Sequence, residues 1–185
     1  MIEVKINFKW MNAQKTERIL ILDNIRSVYN VGSIFRTADA VGINQIYLIG
    51  QTPTPIDRFG RARKDLAKVA LGAEKNIPWI YIKNDEALAT LKKLQEQNVI
   101  LVAVEQNEKS VNYREVVNKI SLNSRGGDTT QKVALIFGNE VDGVSDEILN
   151  ESDLIAEIPM KGQKESLNVS VSAGILMFEV FYIRI

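Results

Sequence analysis

The sequence predicts one α/β domain, spanning residues 1–185, with a mainly parallel sheet and helices on both of its faces. Six short runs rich in Ile and Val are predicted strands, and helical patterns lie between them, an alternation typical of a parallel sheet. Strands covered on both faces carry nearly continuous apolar runs, as these six do. A chain of 185 residues suits one domain with a sizeable core.

The six predicted strands are each four to six residues long, as strands usually are. They are ILIL (19–22), QIYLI (45–49), WIYI (79–82), VILVAV (99–104), VALIF (133–137) and LIAEI (154–158). Four helices are predicted between and after them, with Gly42 as a C-terminal stop and Asn84 as an N-cap. The helices are 31–41, 85–97, a short helix opened by Ser145, and a final helix from about Asn168 to the end of the chain.

Three segments depart from this alternation. Residues 50–60 form a long loop with two prolines, and the polar residues 123–131 form a surface loop. Residues 2–10 alternate strictly between apolar and polar side chains, the pattern of a half-buried strand. The segment 1–18 is therefore either an added edge strand or a substrate-binding arm.

The final helix is apolar on nearly all its faces and should be buried. Its second covering layer comes either from a partner subunit or from the centre of the monomer, and the pattern favours neither.

The composition excludes several chemistries. Lys plus Arg and Asp plus Glu number 23 each, so any nucleic-acid surface must be a local patch. The chain has no cysteine and no histidine, which rules out disulfides and Ser-His-Asp catalysis and removes the commonest metal ligand, so no metal is expected.

The first residues lack the apolar core of a signal peptide, and no uncharged run is long enough to span a bilayer. A cytoplasmic protein without a membrane segment is expected.

Polar clusters follow three of the predicted strands. The first contains Asn30, Gly32 and Arg36 near a helix start, where backbone N–H groups and a guanidinium hold phosphates well, although an N-capped helix with a surface arginine gives the same pattern. The second has Gly138, Asn139, Glu140 and Gly143, which also fits a tight turn with an exposed acid. The third, 158–174, places small polar residues at a helix start. Three clusters at successive strand ends indicate a site at that edge of the sheet.

The three clusters together closely resemble the motifs of the SpoU/TrmH family of RNA 2′-O-ribose methyltransferases. The matching patterns are N-x-G-x-x-x-R from Asn30, F-G-N-E-x-x-G from Phe137, and I-P-M-x-G-x-x-x-S-L-N-V-S from Ile158. The resemblance runs from about Arg18 to Ile185. It implies the SPOUT fold, in which the carboxyl-terminal segment forms a trefoil knot, a rare exception to unknotted topology. It also implies a homodimer.

The resemblance further implies the cofactor S-adenosylmethionine and assigns site residues. The cofactor would touch Gly138, Ile158 and Leu167, together with Asn139 and Met160 of the same loops. RNA handling and catalysis would fall to Asn30, Arg36, Glu140, Ser166 and Asn168, with Arg36 reaching the site of the other subunit.

The expected substrate is structured RNA, tRNA rather than rRNA, because many rRNA-directed relatives carry an extra amino-terminal domain for which this chain has no room. Arg58, Arg61, Arg63 and Lys64 are the candidate RNA contacts, with a solvated helix face as the alternative. Two other functions stay open: an RNA-binding module without catalysis, and a methyltransferase acting on small molecules.

Arg36 is expected to grip a phosphate and stabilise the developing alkoxide. Deprotonating it near pH 7 would require roughly 7 kcal/mol or more, which counts against a role as the base. The proton would leave through water, the phosphate or Glu140.

Overall fold

A computed structural model describes residues 17–122 and 132–182 of the chain. Within them, seven strands form one sheet. They are β1 (Arg18–Asp23), β2 (Gln45–Ile49), β3 (Trp79–Ile82), β4 (Val99–Val104), β5 (Val111–Asn112), β6 (Lys132–Phe137) and β7 (Leu154–Glu157). The strand order is β3-β2-β1-β6-β4-β7-β5, and every neighbouring pair is parallel. All carboxyl ends therefore lie at one edge of the sheet.

Seven α-helices connect the strands over the same residues. They are α1 (Val28–Val41), α2 (Lys64–Ala70), α3 (Ala73–Asn76), α4 (Ala87–Glu96), α5 (Val116–Leu122), α6 (Asp146–Glu151) and α7 (Val169–Met177). Single 3-10 turns, Asn84–Glu86 and Tyr113–Glu115, precede α4 and α5, and α7 continues as a π-helix over Phe178–Tyr182. None of the described helices is long and apolar enough to cross a membrane.

The core has two layers, one on each face of the sheet. Leu20 and Leu22 of β1 point into the layer formed with α1, α2, α3, α5 and α7. Ile19 and Ile21 point into the opposite layer, which α4 and α6 cover. This arrangement confirms the predicted parallel sheet with helices on both faces, and it explains why the strands are continuously apolar.

The predicted strands agree with the observed ones to within about one residue, but the helices differ more. Helix α1 begins three residues before the predicted start, because Ser27 caps it by accepting a hydrogen bond from the Asn30 amide. The predicted stop at Gly42 is confirmed, with φ at 78°. Asn168 caps α7 by accepting a hydrogen bond from the Ser170 amide, so the final helix begins where it was expected.

Three short helices and one short strand were not predicted: α2, α3, α5 and β5. The amino-terminal strand or arm, except for its last two residues, and the polar loop 123–131 lie outside the described residues. The assignment of 1–185 to one domain stays a prediction.

Gly32 of α1 allows close packing between helices. A Cβ at this position would lie 2.9 Å from the Val69 Cβ and 3.0 Å from the Leu66 carbonyl oxygen of α2. Gly32 is also fully inside the core. Its place in the first motif is therefore explained by the close contact between α1 and α2.

Gly32→Ala should lower the free energy of unfolding by about 1–2 kcal/mol, because overpacking outweighs the gain in helix propensity. Gly174→Ala in α7 is the matched control. A Cβ at Gly174 would lie 3.9 Å from its nearest neighbour, Thr37 Cγ2 of α1, which is an ordinary contact. Urea unfolding should show the control at or above wild-type stability. Equal effects of the two substitutions would contradict the packing role.

Candidate functional site

A cavity of about 420 Å³ opens at the carboxyl ends of β4, β6 and β7. Three segments form its walls: the ends of β4 and β6 with the loops that follow them, and the loop from β7 to α7. The predicted cofactor residues all line it: Gly138, Asn139, Ile158, Met160 and Leu167. Glu140, Ser166 and Asn168 line it too. The structure therefore brings eight of the ten residues predicted for catalysis and cofactor binding to one cavity.

The loop after β6 is a compact turn. The amide of Asn139 donates to the carbonyl of Gly143 at 3.0 Å, and the amide of Gly143 donates back at 3.1 Å. The Asn139 side-chain oxygen accepts the amides of Val141 and Asp142, both at 2.8 Å. These four hydrogen bonds fix the conformation of the loop.

Gly138 is required by this turn itself. A Cβ at Gly138 would lie 2.0–2.1 Å from backbone atoms of Gly143 and Val144. The interpretation that Gly138 is glycine to let the backbone approach a ligand is therefore incomplete, because the first obstacle to a side chain is the loop's own backbone. The residue nevertheless lines the cavity.

Glu105 is a site residue that the sequence analysis missed. It follows β4, and its Oε2 accepts the amide of Val144 at 3.0 Å. Gly143 has φ at 72°, and a Cβ there would lie 2.0 Å from the same oxygen. The sequence feature that indicates Glu105 is its position. It is a carboxylate directly after a predicted buried strand, at the edge of the sheet where the three polar clusters lie.

Glu140 ties the loop after β6 to the start of α1. Its carboxylate accepts the side-chain amide of Asn30 at 2.7 Å and the backbone amides of Arg26 and Ser27 at 3.2 and 3.3 Å. An exposed ion pair between Arg26 and Asp142, at 3.3 Å, spans the same gap. Such an exposed pair contributes little, so the three hydrogen bonds to Glu140 provide most of the connection.

Asn168 extends this connection to α7. Its side-chain Nδ2 donates to Asn30 Oδ1 at 3.1 Å, while its Oδ1 accepts the amide and hydroxyl of Ser170. Asn30 therefore bridges Asn168 and Glu140, although it does not itself line the cavity. One chain of hydrogen bonds joins the three predicted motifs.

The pKa of Glu140 reflects these contacts. Partial desolvation raises it, but hydrogen bonds from the Asn30 side chain and from the Arg26 and Ser27 amides together outweigh desolvation and hold the pKa below the usual 4.5. The carboxylate is therefore ionised at neutral pH and is a weak proton acceptor. Its geometry suits an anchor that positions Asn30.

Arg36 and the basic residues lie away from the cavity. Arg36 is exposed on α1 and is not among the lining residues. The loop between β2 and α2 contains Arg58, Arg61 and Arg63. Lys64 is the first residue of α2. Among the described residues, no three His, Cys, Asp or Glu side chains lie close enough together to hold a metal ion.

The lining chemistry suits a cationic ligand with an apolar portion. Glu105, Glu140 and Glu157 surround the cavity with carboxylates, and Ile158 and Leu167 provide apolar surface. Ligand sites commonly combine an apolar wall with a few fixed polar groups.

Comparisons with known proteins agree on the family. Residues 17–178 match the SpoU rRNA Methylase family. The chain is 32% identical to a tRNA (guanosine(18)-2′-O)-methyltransferase of Aquifex aeolicus, over 91% of this chain and 71% of the relative. It is 30% identical to a 23S rRNA (guanosine-2′-O-)-methyltransferase of Neisseria meningitidis, over 91% of this chain but only 59% of the relative.

Solved structures give the same result. An AdoMet-bound rRNA methyltransferase from Sinorhizobium meliloti superposes with a TM-score of 0.75 and 27% identity, covering 92% of this chain and 58% of that one. The Aquifex aeolicus TrmH/SpoU tRNA modifying enzyme gives 0.73 and 28%, covering 92% and 78%. These neighbours confirm the SPOUT fold, and its carboxyl-terminal knot stays a prediction.

Glu140→Gln should remove an acid-sensitive part of the protein's stability. A carboxyl whose pKa is lowered on folding stabilises fully above its unfolded pKa, and this contribution is lost as pH falls through the lower folded value. The gap in melting temperature between wild type and variant should therefore be constant above about pH 5 and should shrink as the pH falls below about 4.5. Glu108→Gln, on a separate exposed loop, is the control. A gap that does not change with pH would contradict the anchoring role.

Proposed function

Because the chain belongs to the SpoU rRNA Methylase family, we propose that it transfers the methyl group of S-adenosylmethionine to a ribose 2′-hydroxyl of RNA. One observation carries the proposal: the hydrogen bonds from Asn168 to Asn30 to Glu140 join the three family motifs beside the cavity. The RNA substrate supports a cytoplasmic location.

The residues around the cavity fit this cofactor. Glu105, Glu140 and Glu157 favour a cationic sulfonium, and the apolar side chains of Ile158, Met160 and Leu167 suit an adenine ring. When bound, S-adenosylmethionine supplies an activated methyl group and its leaving group. The protein must then position the ribose and assist the loss of one proton.

The assignment of Glu140 follows from its contacts. Both carboxylate oxygens accept hydrogen bonds and its pKa is lowered, so Glu140 holds Asn30 in place and is a poor acceptor for the ribose proton. That leaves water or the adjacent phosphate as the route for the proton. Ser166 and Asn168 offer a hydroxyl and an amide to the substrate at the cavity wall.

Among RNA substrates we favour tRNA. The tRNA-specific relative is matched over 71% of its length and the rRNA-specific one over 59%. Incubation with methyl-labelled S-adenosylmethionine and separated tRNA and rRNA tests both the methyl transfer and the preference for tRNA. The proposal is supported if tRNA becomes labelled and its backbone resists alkaline hydrolysis at one position, because a 2′-O-methyl group blocks cleavage there. Methyl transfer that persists after the RNA has first been destroyed with ribonuclease contradicts it, and binding of RNA without label indicates a non-catalytic module.

We also propose that the protein works as a homodimer and that Arg36 acts in the partner's site. Helix α7 packs on α1 and buries Ala173, Leu176 and Met177, yet Val171 on α7 is 49% exposed and Tyr29 on α1 is 62% exposed. This apolar surface supports a partner on that side. Arg36 lies on α1 too, and its guanidinium is not needed by its own cavity.

Leu167→Asp should abolish cofactor binding while the fold survives. Leu167 lines the cavity and is 39% exposed, so a carboxylate there disturbs little of the core but replaces apolar contact with the ligand. Leu71→Asp is the matched control, because Leu71 is exposed, ends α2 and lies outside the cavity. Calorimetry should find wild-type affinity for S-adenosylmethionine in the control only. Retained affinity in Leu167→Asp would refute this placement.

Arg36→Ala should lose roughly 10²-fold or more in methyl transfer, as expected for removal of a preorganised charge-stabilising donor. Arg36→Lys should rescue poorly, because a point charge does not reproduce the planar guanidinium.

Mixing the inactive Arg36→Ala and Leu167→Asp chains by refolding tests the position of Arg36. Random pairing makes half of the dimers mixed, and a composite site leaves each mixed dimer one intact site of two. About a quarter of wild-type activity should return, from symmetry alone. No recovery in a mixture shown to contain mixed dimers would place Arg36 in its own subunit's site.

A further inference from the structure

The loop between β2 and α2 contains a rigid turn with an aromatic ring at its tip. Ile56 and Ala62 pair as an antiparallel bridge, and Asp57 lies inside the turn they close. The Asp57 Oδ1 accepts the amides of Phe59 and Arg61 at 2.8 and 2.9 Å, and Oδ2 accepts Arg61 Nε at 3.0 Å. The hydrogen bond from the Arg61 backbone amide is the main reason that the pKa of Asp57 lies below its usual range.

Phe59 lies outside the two core layers that the described residues form. Its side chain is 65% exposed, and the turn is fixed by hydrogen bonds that do not involve the ring. Two guanidinium carbons lie over the ring: Arg58 at 4.8 Å and Arg61 at 5.0 Å from its centroid. An exposed phenyl ring between cations has the features of surfaces that bind single-stranded nucleic acid, where bases stack and phosphates meet arginine.

The charges around the ring favour an anion. Arg61 pairs with Asp57 and Arg63 with Asp65, but Arg58 and Lys64 form no ion pair with any residue in the described ranges. The loop leaves the carboxyl end of β2, and the cavity opens at the carboxyl ends of β4, β6 and β7. In a parallel sheet these ends share one edge, so the loop and the cavity lie at the same edge of the sheet.

We propose that Phe59, flanked by Arg58 and Arg61, is a platform on which one unpaired base of the RNA substrate stacks. A base that stacks on the ring replaces the Arg58 guanidinium there, and the displaced guanidinium contacts a neighbouring phosphate. Every base has a π-face, so the platform selects unpaired nucleotides over paired ones without selecting a sequence. The inference rests on the proposed function, because it assumes that RNA is the ligand.

Binding of two probes, without cofactor, tests the platform: a 12-nucleotide single-stranded oligoadenylate and a blunt 12-base-pair RNA duplex. Phe59→Leu should weaken oligoadenylate binding by roughly five- to 150-fold, the range that one lost base-stacking contact implies. Duplex binding should be unchanged, and so should the salt dependence of both, because no phosphate contact is lost. Phe59→Trp should retain affinity for oligoadenylate, with indole fluorescence quenched beyond the background of Trp10 and Trp79.

Substitution of the four cations Arg58, Arg61, Arg63 and Lys64 by glutamine is the complementary variant. It should flatten the salt dependence of oligoadenylate binding by up to about three units of slope. Wild-type affinity of Phe59→Leu for oligoadenylate, or equal weakening on both probes, overturns the platform. A changed oligomeric state in Phe59→Leu would show that the ring contacts another copy of the chain, which also overturns it. Absence of methyl transfer in wild type would refute the proposed function but leave this comparison of binding intact.

Discussion

The carboxylate of Glu140 is the anchor on which the geometry of the site depends. Three donors converge on it: the side chain of Asn30 and the amides of Arg26 and Ser27. Asn30 in turn accepts a hydrogen bond from Asn168, so the starts of α1 and α7 and the loop after β6 form one hydrogen-bonded unit. A charged acceptor forms stronger hydrogen bonds than a neutral one, which suits a contact that must hold three separate segments at an open surface.

The parallel sheet determines which residues can meet at this anchor. Strand β1 is far from β6 and β7 in the chain, but the carboxyl ends of all three lie at one edge, and the loops that follow them supply all three segments. The tight turn at Gly138 and Gly143 brings Glu140 toward α1, and Glu105, which follows β4, fixes the other side of that turn. Backbone packing and a buried sheet thus position the polar groups of the site.

Much of this arrangement is accessible from the sequence, for a physical reason. Buried parallel strands are short runs of Ile and Val, so the strands were predicted closely and their ends located the site. Helices α2, α3 and α5 have seven residues or fewer, too few turns for a clear period of 3.6. The reasons for Gly32 and Gly138 were equally inaccessible, because each depends on backbone that is distant in sequence or folded back on itself.

Electrostatics explains how a chain of zero formal net charge can serve both a cation and a polyanion. Carboxylates of Glu105, Glu140 and Glu157 surround the cavity, and cations cluster on the loop that follows β2. A cavity lined with carboxylates attracts a sulfonium but repels RNA phosphates. The backbone of the substrate must therefore be held by basic groups outside the cavity, while one ribose is presented at its mouth. Arg36, exposed and outside its own cavity, provides such a charge if a second subunit brings it to that mouth.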